Sequence, residues 1–402
     1  MPLDLSRTCL GISPSATLAI DTKAKALAAA GNDVIQFGVG EPDSDTPAFI
    51  CDAAKAAIDA GMTRYTPVAG TLELRREIAK KFERDNALTY DPAGEVFVST
   101  GAKQVIFVAL CAMLNPGDEV IIPAPFWVSY PEMVRMAGGV PVFAPTRADR
   151  HFVFDAGDIA PYVTPRTKAI ILNSPSNPCG SVLPRASLEG IAKLAVARGF
   201  YVISDEIYES LVYDGAQHHS IAALGADIFA QTVVVNGVSK TYAMTGWRIG
   251  YAAGPRAIIA AMTAYQSHST SNPNSIAQAA ATAALADGNG ACVREMVAAF
   301  DRRRKLIHRL VNDVPGLSAQ LPAGAFYLMV NIGALIGKKY QGEVIGGSDR
   351  FAELLLEHEH VAVVPGKAFG DDAHVRLSYA TSDEKIARGI ARMAAFTQKL
   401  TD

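Results

Sequence analysis

Between residues 95 and 253 the chain repeats one pattern that few folds can accommodate. Short apolar, β-branched runs are separated by stretches with helical periodicity. "EVFVS" (Glu95–Ser99) is followed by the helical "AKQVIFVALCAML" and the turn "NPGD". "EVIIP" (Glu119–Pro123), "SYPEMVRMAGG" and "VPVFA" come next, then "KAIILN" (Lys168–Asn173), "SLEGIAKLAVARG", "FYVISDE" (Phe200–Glu206) and "TVVVNG" (Thr232–Gly237). Strands that are apolar throughout and spaced by helices predict βαβ units around a parallel sheet buried on both faces. "RIGYAAGP" follows "TVVVNG" too closely for a crossover helix, so it is expected to run antiparallel. From about Ala291 the texture changes to a long charged helix, "VREMVAAFDRRRKLIHRLVND", then "AFYLMVN", "VAVVPG", "HVRLSYA" and a final helix. This predicts a smaller α+β domain (residues 1–47 plus 291–402) beside a large domain (48–290).

Bulk properties exclude several function classes. The chain has 402 residues, half of them hydrophobic, and a net charge of −3. The two signs of charge are mixed, so no footprint for nucleic acid or anionic lipid is present. No apolar run is long enough to span a bilayer, and the first residues lack a signal-peptide layout. The cysteines (Cys9, Cys51, Cys111, Cys179, Cys292) are odd in number and lack a CxxC pair. They read as core fillers in a reducing compartment, and the expected location is cytoplasmic.

In an open parallel sheet, ligands bind beyond the carboxyl ends of the strands. Four such ends carry polar residues. "EVFVST" runs into "GAKQ" (Gly101–Gln104), where a glycine turn opening a helix offers free amides to a phosphate. "AIILN" runs into "SPSNPCG" with Asn177. "FYVISDEIY" carries Asp205, Glu206 and Tyr208. "TVVVNGVSK" ends in Ser239 and Lys240, and Arg248 follows in "TGWRIGY". Taken singly, each has an ordinary explanation as a turn or helix cap. Together they supply an amine for a Schiff base, a carboxylate for a protonated ring nitrogen, and a phosphate cradle. Those are the requirements of pyridoxal 5'-phosphate.

With these motifs in place, the chain resembles the fold-type I, class I aminotransferases, and within them the bacterial aspartate and aspartate/prephenate enzymes. "GVGEPD", "TRYTPVAG", "TGAKQ", "PAPFWVSYPEMVRMAGG", "NSPSNPCG", "SDEIYE", "SKTYAMTGWRIGY", "GAFYLMV" and "VRLSYATS" stand in that family's order. The resemblance implies a mostly parallel seven-stranded sheet flanked by helices. It also implies that Lys240 forms the aldimine and shuttles the proton, while Asp205 pairs with the pyridine nitrogen. Asn177 and Tyr208 would bond the ring hydroxyl, and Trp127 would stack on the ring. Ser239, Arg248 and the backbone of Ala102 and Lys103 would hold the phosphate. Tyr65 would reach the phosphate of a second subunit in a homodimer. Arg376, with Asn177 and the backbone of Gly40, would grip the substrate's α-carboxylate.

The same resemblance bears on the substrate. Relatives of the aspartate/prephenate group carry a basic residue just before the proline of an "xPSAT" motif, and here that residue is Ser13. Lys103 matches a lysine that in this group lies near the distal carboxylate. Aspartate with 2-oxoglutarate is therefore the expected pair, with neutral or aromatic amino acids as the alternative. A lyase on the same scaffold is a further alternative, since fold does not fix which bond at Cα breaks. Regulatory members carry a DNA-binding domain, for which this chain has no apparent room. Other features have plain readings. "GVGEPD" lacks the last glycine of a dinucleotide loop, and the histidines of "HEH" (His358–His360) diverge on a helix. His218 and His219 are expected in a solvated loop and "DRRRK" (Asp301–Lys305) on a solvated helix face. No metal site is expected.

Overall fold

The computed structural model describes residues 4–402. Seven strands form the main sheet: β1 (Val96–Ser99), β2 (Glu119–Ala124), β3 (Val140–Pro145), β4 (Thr167–Asn173), β5 (Tyr201–Asp205), β6 (Thr232–Gly237) and β7 (Gly250–Ala253). Their order is β1-β7-β6-β5-β4-β2-β3. Strand β7 is antiparallel to both neighbours and every other pair is parallel. The short connection after β6 forces that reversal, as expected from the sequence. Residues Val233, Val234 and Val235 are fully buried, and burying each such side chain contributes about 1.5–3 kcal/mol. Helices cover both faces, which is why these strands are apolar without alternation.

Helix α1 (Ala102–Met113) starts directly after β1, with Gly101 before it at φ 83°. A side chain at Gly101 would collide with the Arg248 guanidinium, and one at Gly250 with the backbone of Ala102. Two glycines thus let β7 and the start of α1 approach closely, leaving the first α1 amides unpaired at the carboxyl edge of the sheet. Helix α2 (Ser129–Met136) packs beside β2 and β3.

A second sheet has the strand order Val364–Pro365, His374–Ser378, Tyr327–Asn331, Ser318–Ala319, all antiparallel. Ile35–Gln36 pairs parallel with Val361–Ala362, joining the N-terminal segment to this region. Helix α3 (Ala291–Asn312) buries Val293, Met296, Phe300, Arg304, Ile307 and Val311, a stripe at helical spacing. Arg304 belongs to that stripe, which corrects the reading of "DRRRK" as wholly solvated. Its position one turn after Phe300 faces inward, and its guanidinium lies 4.7 Å over Tyr213. It donates to Asp301, to Asp214 and to the Pro322 carbonyl at 2.7 Å. His218 is a second correction. Its imidazole is only 9% exposed and bonds Glu206 at 3.0 Å. Cys9 is exposed and only Cys179 is buried, so the cysteines are not uniformly core fillers. Among the described residues no helix is long and apolar enough to cross a membrane.

Candidate active site

A cavity of about 300 Å³ opens at the carboxyl edge of the main sheet, against the second sheet. Gly40, Ala102, Lys103, Trp127, Asn177, Asp205, Tyr208, Ser239, Lys240, Arg248 and Arg376 all line it. Ser13 is exposed and does not line it; Ser15, Thr17 and Leu18 of the same segment do. Tyr65 is 90% exposed and also lies outside it within one chain.

Strand β5 delivers Asp205 at its last residue. The carboxylate is 4% exposed and burial raises its pKa to about 6, although hydrogen bonds from Tyr130 (2.6 Å) and the Ile207 amide (3.3 Å) pull the other way. Lys240 comes from the turn after β6. Burial lowers its pKa to about 8; Glu41 opposes this, while Arg248 and Arg376 add to it. Its ammonium donates to the Gly40 carbonyl at 2.6 Å. A lysine of this kind is partly unprotonated near neutral pH and hence nucleophilic.

Arg376 sits mid-strand in His374–Ser378 and is 2% exposed. It donates to Asn177 Oδ1 at 2.9 Å and to the Gly38 carbonyl at 2.7 Å, while its Nε has no partner. Tyr327 and Phe369 face the guanidinium at 4.5 and 5.0 Å. No carboxylate among the described residues pairs with it. A buried guanidinium lacking a counter-ion is a receptor for an anion, and its planar fork suits a carboxylate. Arg248, held in the left-handed region at φ 58°, donates to the Thr245 carbonyl at 3.0 Å beside the start of α1.

Similarity to known proteins establishes the family. The model of the aminotransferase class I and II family matches residues 32–393. The chain belongs to that family. The aminotransferase is 48% identical to an aspartate aminotransferase of Geobacillus stearothermophilus, over 98% of this chain and 99% of that protein. It is also 48% identical to an aspartate/prephenate aminotransferase of Cereibacter sphaeroides, over 99% of each. Its fold matches an aspartate aminotransferase of Thermus thermophilus solved with maleate, at TM-score 0.92 and 44% identity, covering 98% of this chain and 100% of that one.

Pyridoxal phosphate is the cofactor of this family, and the donor set fits it. The aminotransferase offers an amine, a buried carboxylate and an anion cradle of α1 amides, Ser239 and Arg248 around one cavity. Sequence reasoning missed Tyr130 and Tyr327. Tyr327 shares a 2.9 Å hydrogen bond with the Tyr208 hydroxyl, and its own hydroxyl leaves no room for a side chain at Gly40. Both tyrosines stood inside quoted motifs ("PFWVSYPEM" and "GAFYLMV"), but their roles depend on contacts between distant elements. Glu206, Glu209 and His218 converge behind Asp205, where Lys81 pairs with Glu209 and supplies positive charge to the cluster.

Proposed function

We propose that the aminotransferase exchanges the amino group of L-aspartate with 2-oxoglutarate. The observation that carries this reading is a pair of separated cations in one cavity. Arg376 lies buried without a counter-ion, and Lys103 projects from α1 at 5.0 Å over the Trp127 ring. Arg376, helped by Asn177 and the Gly40 backbone, takes the α-carboxylate; Lys103 is then the cation available to a second carboxylate. Partial enclosure of its amine, and then the Arg248 charge, lower the Lys103 pKa. An incoming carboxylate would reverse that cost.

Pyridoxal phosphate, when bound, supplies an electron-withdrawing ring that stabilises negative charge at the substrate's α-carbon. Lys240 would hold its aldehyde, and its amine is placed to move the α-proton. Asp205 would keep the ring nitrogen protonated, and Asn177 and Tyr208 would bond the ring hydroxyl. Trp127 would stack on the ring, and Ser239, Arg248 and the amides of Ala102 and Lys103 would hold the phosphate. The 90% exposure of Tyr65 supports a homodimer in which this residue reaches the neighbouring site. The separate second sheet supports a large domain over 48–290 and a small one over 1–47 plus 291–402. A cytoplasmic location is part of the same reading.

The test is oxaloacetate formation from aspartate and 2-oxoglutarate, with wild type and Lys103→Ala side by side. Turnover with aspartate that weakens about tenfold in the variant, while phenylalanine turnover is unchanged, supports the assignment. Faster turnover with phenylalanine than aspartate in wild type would move the enzyme to uncharged substrates, and ammonia release would make it a lyase.

A further inference from the structure

Tyr130 enters the site from α2, not from a strand end. It is 2% exposed, and its hydroxyl donates to Oδ2 of Asp205 at 2.6 Å. No other side chain among the described residues hydrogen-bonds that carboxylate; the remaining donor is the Ile207 amide, at 3.3 Å on Oδ1. The Tyr130 ring meets Trp127 edge-on at 5.3 Å and 85°. One residue therefore touches both groups assigned to the cofactor ring, the Asp205 carboxylate and the Trp127 indole.

We infer that Tyr130 is a positioning residue, whose hydroxyl holds Asp205 ionised and fixed for the ring nitrogen. The inference rests on the assignment of Asp205 proposed above. The physical need is plain. A carboxylate this deeply buried favours its neutral form, and a neutral acid cannot keep a pyridine nitrogen protonated. The titratable groups acting on Asp205 are Tyr130, Glu206, Tyr208 and Lys240. Glu206 repels the charge, and Lys240 makes no hydrogen bond to it. A phenol is well suited to the task. It donates a short hydrogen bond, yet desolvation and the adjacent carboxylate make its own ionisation harder still.

The experiment uses the full-length protein stripped of cofactor. Pyridoxal phosphate affinity is measured by absorbance titration from pH 5 to 9 for wild type, Tyr130→Phe, Asp205→Asn and the double variant. Phenylalanine keeps the ring against Trp127 and removes only the donor. Tyr130→Phe should weaken cofactor binding about tenfold, the loss expected for one hydrogen bond to a buried charge. The pH below which binding fails should rise by about one unit. Both effects should vanish in the Asp205→Asn background. Unchanged affinity and pH profile in Tyr130→Phe, or equal effects with and without Asp205, would overturn the inference. Wild-type affinity in Asp205→Asn alone would instead overturn the assignment of Asp205. Should Tyr130→Phe not fold, Tyr130→His keeps a donor and carries the test. Binding within about threefold of wild type supports the inference, and a tenfold loss with the acid limb unmoved refutes it.

Discussion

Replacing Lys240 by methionine should make the cofactor-free protein more stable near pH 7, although it destroys the reaction. The lysine's folded pKa of about 8 lies below its ordinary 10.5 because burial disfavours the ammonium. At about 1.4 kcal/mol per pH unit, that depression corresponds to about 3 kcal/mol of destabilisation while both states are protonated. Methionine also forfeits the 2.6 Å hydrogen bond to the Gly40 carbonyl, about 1 kcal/mol. Water entering the cavity screens part of the remainder, leaving a net gain of about 1–2 kcal/mol. The sign with pH is definite. Between pH 8 and 10.5 the unfolded chain binds the proton and the folded chain does not, so wild-type stability rises across that window relative to the variant. Urea unfolding of both cofactor-free proteins at pH 7 and at pH 10 measures it. The variant should unfold at higher urea at pH 7, and the gap should close at pH 10. A variant less stable than wild type at both values would refute a desolvated lysine.

Other perturbations follow from single contacts. Arg376→Ala should raise KM for the amino donor about a hundredfold, the loss of a buried bidentate carboxylate partner, read from steady-state kinetics. Gly101→Ala should lower cofactor affinity, because φ 83° resists a side chain and the added methyl displaces the Arg248 guanidinium; absorbance titration measures it. Glu206, and then Glu209, raise the His218 pKa against the opposing effect of burial. Its stabilising charge is therefore fully present below about pH 6.5 and lost as pH rises through the folded pKa. His218→Ala should cost about 3 kcal/mol at pH 6, since two buried carboxylates lose a partner, and calorimetry at pH 6 and 9 should show the deficit shrinking at the higher pH.

What could be read from the sequence was set by local physics. Strands buried on both faces must be apolar throughout, so β1, β2, β4, β5 and β6 stood out, and the short link after β6 dictated the antiparallel β7. Because the carboxyl ends of such strands share one edge, the sequence alone places Asn177, Asp205 and Lys240 together. Arg376 lies on a strand of the other sheet, and only the family resemblance joined it to them. What stayed hidden depends on contacts between distant segments. Arg304 looks like its exposed neighbours until Asp214 and Pro322 close over it. His218 looks solvated until Glu206 and Glu209 are known to lie behind it. Tyr130 sits on a helix, where spacing gives no hint that its hydroxyl reaches β5. Ser13, singled out through the family resemblance, stays outside the cavity, whereas Ser15, Thr17 and Leu18 of the same segment line it.

The most direct test of the central claim is the half-reaction. The protein loaded with pyridoxal phosphate is mixed with one amino acid at a time, and the cofactor's absorbance is followed to its pyridoxamine form. Rapid conversion by aspartate and glutamate, with phenylalanine and methionine much slower, is the result predicted from Arg376 and Lys103. The reverse order would contradict the dicarboxylate assignment, and absence of conversion by any amino acid would contradict the proposed roles of Lys240 and Asp205.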